Sequence, residues 1–215
     1  MESGRIRGII FDLDGVLVST DRFHYLAWKR IADRLGCPFD ERLNDSLRGV
    51  GRVESLGIIL RAGGITLSGS EMSALAEEKN RIYREYLSGM VPSDAALDVR
   101  ATLSELRRRG YRLAVGSSSK NAGYILERVA LRGAFDAVVD GFCISRTKPD
   151  PEVFLLAAGR LSLPPPECAV IEDAPAGILA ARRAGVLPVG IGPAAADPGC
   201  GGRIGSIAEL LNFFN

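Results

Sequence analysis

The chain is poor in the residues that build zinc clusters and disulfide frameworks. Among its 215 residues there is one histidine, and the four cysteines, Cys37, Cys143, Cys168 and Cys200, are scattered with no Cys-x-x-Cys spacing. Metal–thiolate centres and a stapled secreted scaffold are both disfavoured, and the reduced thiols of a cytoplasmic protein fit better. An excess of one charge is missing too. Against 27 basic residues stand 26 acidic ones, a net charge of +1, so no global field points to nucleic acid or a membrane surface. No apolar run approaches the roughly 18 residues of a bilayer span. Met1-Glu2-Ser3-Gly4-Arg5 leads straight into an apolar stretch, leaving no room for a signal peptide. No internal repeat stands out. The expectation is a soluble, cytoplasmic protein with one good core and a smaller satellite, as this length allows.

What the chain does have begins at Ile9-Ile10-Phe11-Asp12-Leu13-Asp14-Gly15. A short apolar run bounded by glycine reads as a buried strand that ends at two carboxylates. Residues two apart on an extended chain point the same way, so Asp12 and Asp14 project into one site at the carboxyl edge of a sheet. Open α/β sheets bind their ligands at that edge. One carboxylate there can hold Mg²⁺ and attack phosphorus while the other handles a proton. A bare Asp-x-Asp also caps strand-to-loop turns; the apolar lead and the glycine weigh against that bland alternative.

From Asp21 to Leu35 the apolar spacing predicts a helix stopped by Gly36. His24, the one histidine, and Trp28, the one tryptophan, lie four residues apart on one face of it. A lone histidine on a helix is usually structural and a lone tryptophan usually packs, but beside a catalytic loop the pair offers a hydrogen bond and an apolar plate for a sugar. Further helices are expected at Glu41–Leu47, Val53–Ala62 and Ser70–Leu87. Between the first two, Leu47-Arg48-Gly49-Val50-Gly51-Arg52 suits an anion at a helix start, or is simply a flexible turn with solvated arginines. The run Glu77-Glu78-Lys79-Asn80-Arg81 reads as a solvated face.

After about Met90 the pattern changes to alternating helix and strand. A helix over Ala95–Arg109 precedes a strand, Tyr111–Gly116, that runs into Ser117-Ser118-Ser119-Lys120-Asn121. Such a loop can cradle phosphate with backbone N–H and hydroxyl donors, though serine-rich connectors are common. A helix over Asn121–Leu131 and a strand over Phe135–Val139 follow. The prolines of Thr147-Lys148-Pro149-Asp150-Pro151 fix a rigid turn that aims Lys148 inward, with a helix from about Glu152. Ala169-Val170-Ile171-Glu172-Asp173 repeats the opening logic, a strand ending in carboxylates. A helix from Pro175 to Gly185 and a strand over Leu187–Ile191 come next. Gly192–Gly202 reads as a loop whose order composition does not reveal, and Ile207–Phe214 as a closing helix. The alternation predicts a doubly wound parallel sheet, core at 1–19 and 89–215, with a helical cap inserted at 20–88. No apolar stripe is left without a place in core or cap, so a monomer is expected.

Four signals in order, Phe11-Asp12-Leu13-Asp14-Gly15, Ser117/Ser118, Lys148-Pro149 and Glu172-Asp173, resemble the four motifs of the haloacid dehalogenase superfamily. The resemblance spans nearly the whole chain. Within it, the cap is similar to that of the β-phosphoglucomutase family at His24 and Trp28, at Leu47–Arg52 with Ser55-Leu56, at Lys79-Asn80, and in the core loop Ser117–Asn121. The chain departs from that pattern at Ser19, Arg48, Gly51 and Val53, where the family has aspartate, lysine, serine and an acid.

The resemblance implies Asp12 as nucleophile, Asp14 as general acid and base, and Ser117, Ser118 and Lys148 as stabilisers of the transferring phosphoryl group. It implies Mg²⁺ held by Asp12, the Asp14 carbonyl and Asp173, with Glu172 ligating or orienting. Arg52, Ser119, Lys120 and Asn121 would hold a second phosphate; His24, Trp28, Arg48, Gly49, Val50, Ser55 and Lys79 would line the hexose, with Thr20 at the hinge. The implied reaction is β-glucose 1-phosphate to glucose 6-phosphate through an aspartyl-phosphate and the 1,6-bisphosphate, cap closure excluding water. The partners are then a small sugar phosphate and bisphosphate, with no nucleic acid and no membrane. A Mg²⁺-dependent phosphatase of the same fold, acting on a sugar phosphate or phosphoglycolate, is the alternative. A non-enzymatic binding module fits poorly with four intact motifs.

Overall fold

The computed structural model describes residues 6–47 and 50–214. Arg48 and Gly49 lie outside the described residues. The chain divides into two compact units, Met1–Ser19 with Met90–Asn215, and Thr20–Gly89.

The first unit is a parallel sheet of six strands. In chain order these are β1 (Gly8–Phe11), β2 (Arg112–Gly116), β3 (Ala137–Val139), β4 (Cys168–Glu172), β5 (Leu187–Ile191) and β6 (Gly202–Ile204), arranged β3-β2-β1-β4-β5-β6. All five pairings are parallel, the doubly wound sheet that the helix–strand alternation predicts. Every residue of β1 and β4 is buried, as expected where helices cover both faces and the strand sequence is continuously apolar. Ile10, level with Ala114 and Val170 on its neighbours, points into a cluster closed by two helices. These are Glu152–Arg160, with Val153, Phe154, Ala157 and Ala158, and Pro175–Ala184, with Ala180, Ala181 and Ala184.

The chain leaves β1 for β2 on one side and later returns to pair β4 on the other. The order therefore reverses between β1 and β4, and ligands of such sheets bind in the crevice outside the carboxyl ends at that switch. Asp12 follows β1 there, its N–H donating to the Ile171 carbonyl at 2.9 Å, and Glu172 ends β4.

The second unit is helical: α1 (Asp21–Leu35), α2 (Glu41–Asp45), α3 (Arg52–Ala62) and α4 (Gly69–Ser88). Gly36 ends α1 at a positive φ of 68°, the left-handed stop that glycine favours. A capping box of Ser68 and Glu71 starts α4. The helix α4 packs along α1 and α3, with Phe23 stacked on Tyr86 at 6.2 Å and Arg34 forked onto Glu78.

The sheet unit's helices are α5 (Leu97–Arg108), α6 (Ala122–Arg128), α7 (Glu152–Arg160), α8 (Pro175–Ala184) and α9 (Leu210–Phe213). Several stretches differ from the sequence expectation; the strand expected over Phe135–Val139 is shorter, and the closing helix expected over Ile207–Phe214 opens with a 3₁₀ turn at Ile207–Glu209 before α9. The helix expected from Ala95 starts two residues later, because Asp94 folds back to accept from the Val91 N–H at 2.7 Å and holds a separate turn at Pro92–Asp94. The one expected over Asn121–Leu131 stops at Arg128, and Ala130 takes a left-handed φ of 50°. The Gly192–Gly202 stretch is ordered: Gly192–Ala196 forms a short 3₁₀ turn, and Gly202 begins β6. A three-residue edge strand containing glycine carries too little alternation to be read.

Replacing Ile10 by alanine removes the centre of the cluster beneath the sheet. The variant is expected to lose about 2–5 kcal/mol of stability, measured as a lower urea midpoint with an unchanged m-value.

Candidate active site

The site grows from the Asp12 loop. Gly15 turns the chain at a positive φ of 79°, and a Cβ there would come within 2.0 Å of Asp173 Oδ2. Glycine is required both for the turn and for this close approach of the two acidic loops. Asp12, Glu172 and Asp173 each offer a carboxylate oxygen within 4.8 Å of the others. Lys148 reaches into the group from the turn before α7. Its Nζ donates to Asp12 Oδ1 at 2.5 Å and to Glu172 Oε2 at 2.8 Å, with its side chain 11% exposed, and it lies 4.8 Å from the centre of the Phe154 ring.

Glu172 is the most enclosed member. Its Oε1 accepts from the Asp173 and Ala174 N–H groups at 3.2 and 3.1 Å, and a Cβ on Gly177 of α8 would fall 2.0 Å from its Oε2. Burial pushes its carboxyl up to about 8 against the pull of Lys148, and the neighbouring Asp12 and Asp173 carboxylates push the same way. Burial alone would lower the Lys148 ammonium, but the carboxylates of Asp12 and Glu172 outweigh it and raise it above the ordinary lysine range. With Glu172 ionised, three carboxylates stand against one ammonium, which leaves room for more positive charge. An all-oxygen donor set of this kind fits a hard divalent cation such as Mg²⁺.

The loop after β2 lies in the same unit. Ser117 is buried, its N–H donating to the Val139 carbonyl at 3.0 Å and its Oγ accepting from the Ser119 N–H at 3.1 Å. Ser119 Oγ accepts in turn from the Asn121 N–H at 3.2 Å. Among the described residues, Ser118 Oγ is buried without a hydrogen-bond partner. A buried hydroxyl left so is costly, and an anion on this loop would give it an acceptor.

The helical unit carries its own polar cluster. Lys79, buried at 2% exposure, sets its Nζ 2.7 Å from His24 Nδ1, and 4.8 and 4.7 Å from the ring centres of Trp28 and Tyr83. The His24 ring stacks on Tyr83 at 4.1 Å, and the Tyr83 hydroxyl donates to Thr20 Oγ1 at 2.9 Å. An ammonium has only protons to give, so Nδ1 accepts and the imidazole is neutral, its proton on Nε2. Burial first, then the charges of Lys79 and Arg52, hold its pKa well below 6.5. Arg52 pairs with Glu77 at 3.0 Å. Ser55 Oγ donates to the Val50 carbonyl at 3.4 Å. The run expected to be a solvated face is thus split: Glu77 faces out, Glu78 is half-buried against Arg34, and Lys79 turns in.

The family model of haloacid dehalogenase-like hydrolases matches residues 6–185. The chain belongs to that family. It is 41% identical over 189 residues to the β-phosphoglucomutase of Bacillus subtilis, covering 87% of this chain and 84% of the relative. It is 34% identical over 187 residues to a fructose-1-phosphate phosphatase of Escherichia coli, covering 87% and 97%. A crystal structure of β-phosphoglucomutase from Clostridium difficile superposes with a TM-score of 0.88 at 34% identity, over 95% of this chain and 93% of that one.

In this haloacid dehalogenase-like hydrolase, several supporting residues escape a sequence reading. Tyr83 lies four residues beyond Lys79, a spacing that puts both on one face of α4 and is the one cue that points to it. Gly177 looks like an ordinary helix-start glycine, because its close approach to Glu172 is made across space. Among the described residues, no helix is long and apolar enough to cross a membrane.

The neutral His24 has a measurable consequence. An unfolded histidine takes a proton near 6.5, while the folded one resists until lower pH, so the unfolded state binds more protons between those limits. The stability from this group is complete above about pH 6.5 and lost as pH falls below it. Urea midpoints should decline from pH 7 toward pH 5, and His24→Gln should flatten that decline. An equal slope in both proteins would show that His24 takes its proton normally when folded.

Proposed function

We propose that the protein is a β-phosphoglucomutase, interconverting β-glucose 1-phosphate and glucose 6-phosphate. The observation that carries this reading is the cluster of His24, Trp28 and Lys79 in the helical unit, beside the likeness to the Bacillus subtilis enzyme. The acidic site by itself serves any phosphoryl transfer of this family.

On this reading an Asp12 carboxylate oxygen attacks the phosphorus of the sugar phosphate. The bond to the sugar oxygen breaks, and Asp14 gives that oxygen a proton. The 6-hydroxyl of a β-glucose 1-phosphate then attacks the aspartyl-phosphate, passing its proton to Asp14 and freeing the Asp12 carboxylate. The resulting 1,6-bisphosphate, bound the other way round, returns its 1-phosphoryl group to Asp12 and leaves as glucose 6-phosphate.

Lys148 holds Asp12 in place and, with Ser117 and Ser118, meets the negative charge on the phosphoryl oxygens, where fixed donors act most strongly. Asp12, the Asp14 carbonyl and Asp173, with Glu172 beside them, would hold Mg²⁺, which supplies charge neutralisation to the phosphoryl group when bound. Ser119, Lys120, Asn121 and Arg52 take the second phosphate by charge-assisted bonds. Thr20, Val50, Ser55 and the His24, Trp28 and Lys79 group contribute to the sugar's fit, and Arg48 and Gly49, outside the described residues, keep the sugar-binding role that the resemblance implies. The enzyme works as a cytoplasmic monomer on free sugar phosphates.

The second reading is a phosphatase, supported by the Escherichia coli fructose-1-phosphate phosphatase relative. An assay with Mg²⁺, β-glucose 1-phosphate and a trace of the 1,6-bisphosphate separates the two. Glucose 6-phosphate with little free phosphate supports the mutase; dominant free phosphate makes the protein a phosphatase. In either assay Lys148→Met should lower kcat by about 10²–10³-fold, the usual cost of removing one charge-stabilising donor. Arg52→Ala should raise the KM for the bisphosphate in the mutase assay, and an unchanged KM would remove Arg52 from the second phosphate site.

A further inference from the structure

Phe142 stands out on the sheet unit because it is a large aromatic side chain left 74% exposed. It belongs to a turn at Asp140–Cys143, where Asp140 Oδ1 accepts from the Phe142 N–H at 3.0 Å and the Asp140 carbonyl from the Cys143 N–H at 2.9 Å. This turn lies directly against the loop after β2. The Gly141 N–H donates to the Ser119 carbonyl at 3.1 Å. A Cβ at Gly141 would come 2.4 Å from the Ser118 carbonyl oxygen and 2.9 Å from the Lys120 nitrogen. Both are backbone atoms that cannot swing aside, so only glycine permits the contact. The turn is therefore packed closely on the loop, which brings Phe142 beside Lys120. The Lys120 Nζ lies 5.5 Å from the centre of the Phe142 ring, within the range of cation–π attraction.

We propose that Phe142 is a positioning residue: its ring holds the exposed Lys120 ammonium ready for the second phosphate of a sugar bisphosphate. The inference rests on the reading that Lys120 takes that phosphate. A lysine on a flexible four-carbon stem samples many rotamers in water, and a ring face beside its nitrogen narrows them before the ligand arrives. The exposed aromatic thereby acquires a purpose that core packing does not give it.

The test compares Phe142→Leu, Phe142→Tyr and Phe142→Trp in the mutase assay at varied β-glucose 1,6-bisphosphate, with Lys120→Gln as the reference. Exposed cation–π contacts have strengths that correspond to about a two- to fivefold change in KM. Phe142→Leu should raise the KM for the bisphosphate by that factor with kcat held, while Phe142→Trp, whose ring attracts cations best, should match or better the parent. Since the side chain is exposed, none of these variants should unfold the sheet unit, and their urea midpoints check this. If Leu behaves like Phe while Lys120→Gln raises KM, Phe142 has no positioning role and Lys120 keeps its own. If Leu and Trp raise KM equally, the ring matters only for shape and the proposal is overturned. If Lys120→Gln leaves KM unchanged, the assignment of Lys120 falls and the role of Phe142 falls with it.

Discussion

Three carboxylates and one lysine are brought together at the end of two adjacent buried strands, and much of the sheet unit answers to that arrangement. Ions taken out of water are stable only when paired and hydrogen-bonded. Glu172 meets the condition with Lys148 on one oxygen and two backbone N–H groups on the other. Removing one partner would leave the other charge stranded, which is worse than never having buried the pair. The glycines follow from the same constraint. Gly15 and Gly177 stand where any Cβ would collide with Asp173 or Glu172, so backbone is drawn close wherever a carboxylate needs enclosure.

The helical unit manages its buried lysine in a different way. Lys79 lies against two aromatic faces and an imidazole nitrogen. An aromatic face attracts an ammonium without neutralising it, whereas a carboxylate offsets its charge. Lys148 is tied instead to Asp12 and Glu172 by hydrogen bonds. The neutral state of His24 follows first from its burial and then from the charges of Lys79 and Arg52.

The parts of the molecule that could be read from the sequence are those whose cause is local. The strand Gly8–Phe11 and its carboxylates are legible because the apolar run and Asp12 are neighbours in the chain, and α1 because its apolar positions recur over four turns. The family follows from four such local signals in order. What was hidden depends on how the chain turns or on contacts between distant segments: Gly177 meets Glu172 across the short turn between them, and Gly141 against Ser118 joins segments more than twenty residues apart. Burial of Lys79 was hidden because its neighbours Glu77 and Glu78 are charged, and a charge run shows no periodicity until the helix face is known. The sixth strand was hidden because pairing with β5, and not its own composition, makes it a strand.

The sheet's two outer strands, β3 and β6, are each only three residues long. Unpaired strand edges are templates on which a second chain can add itself. Here the edge on the β6 side offers little length for such addition, and the ring of Phe213 lies against Gly202 so closely that a Cβ there would meet it at 2.2 Å. The shortness that made β6 hard to see in the sequence also keeps an otherwise fully parallel, strongly apolar sheet from growing into its neighbours in a crowded cell.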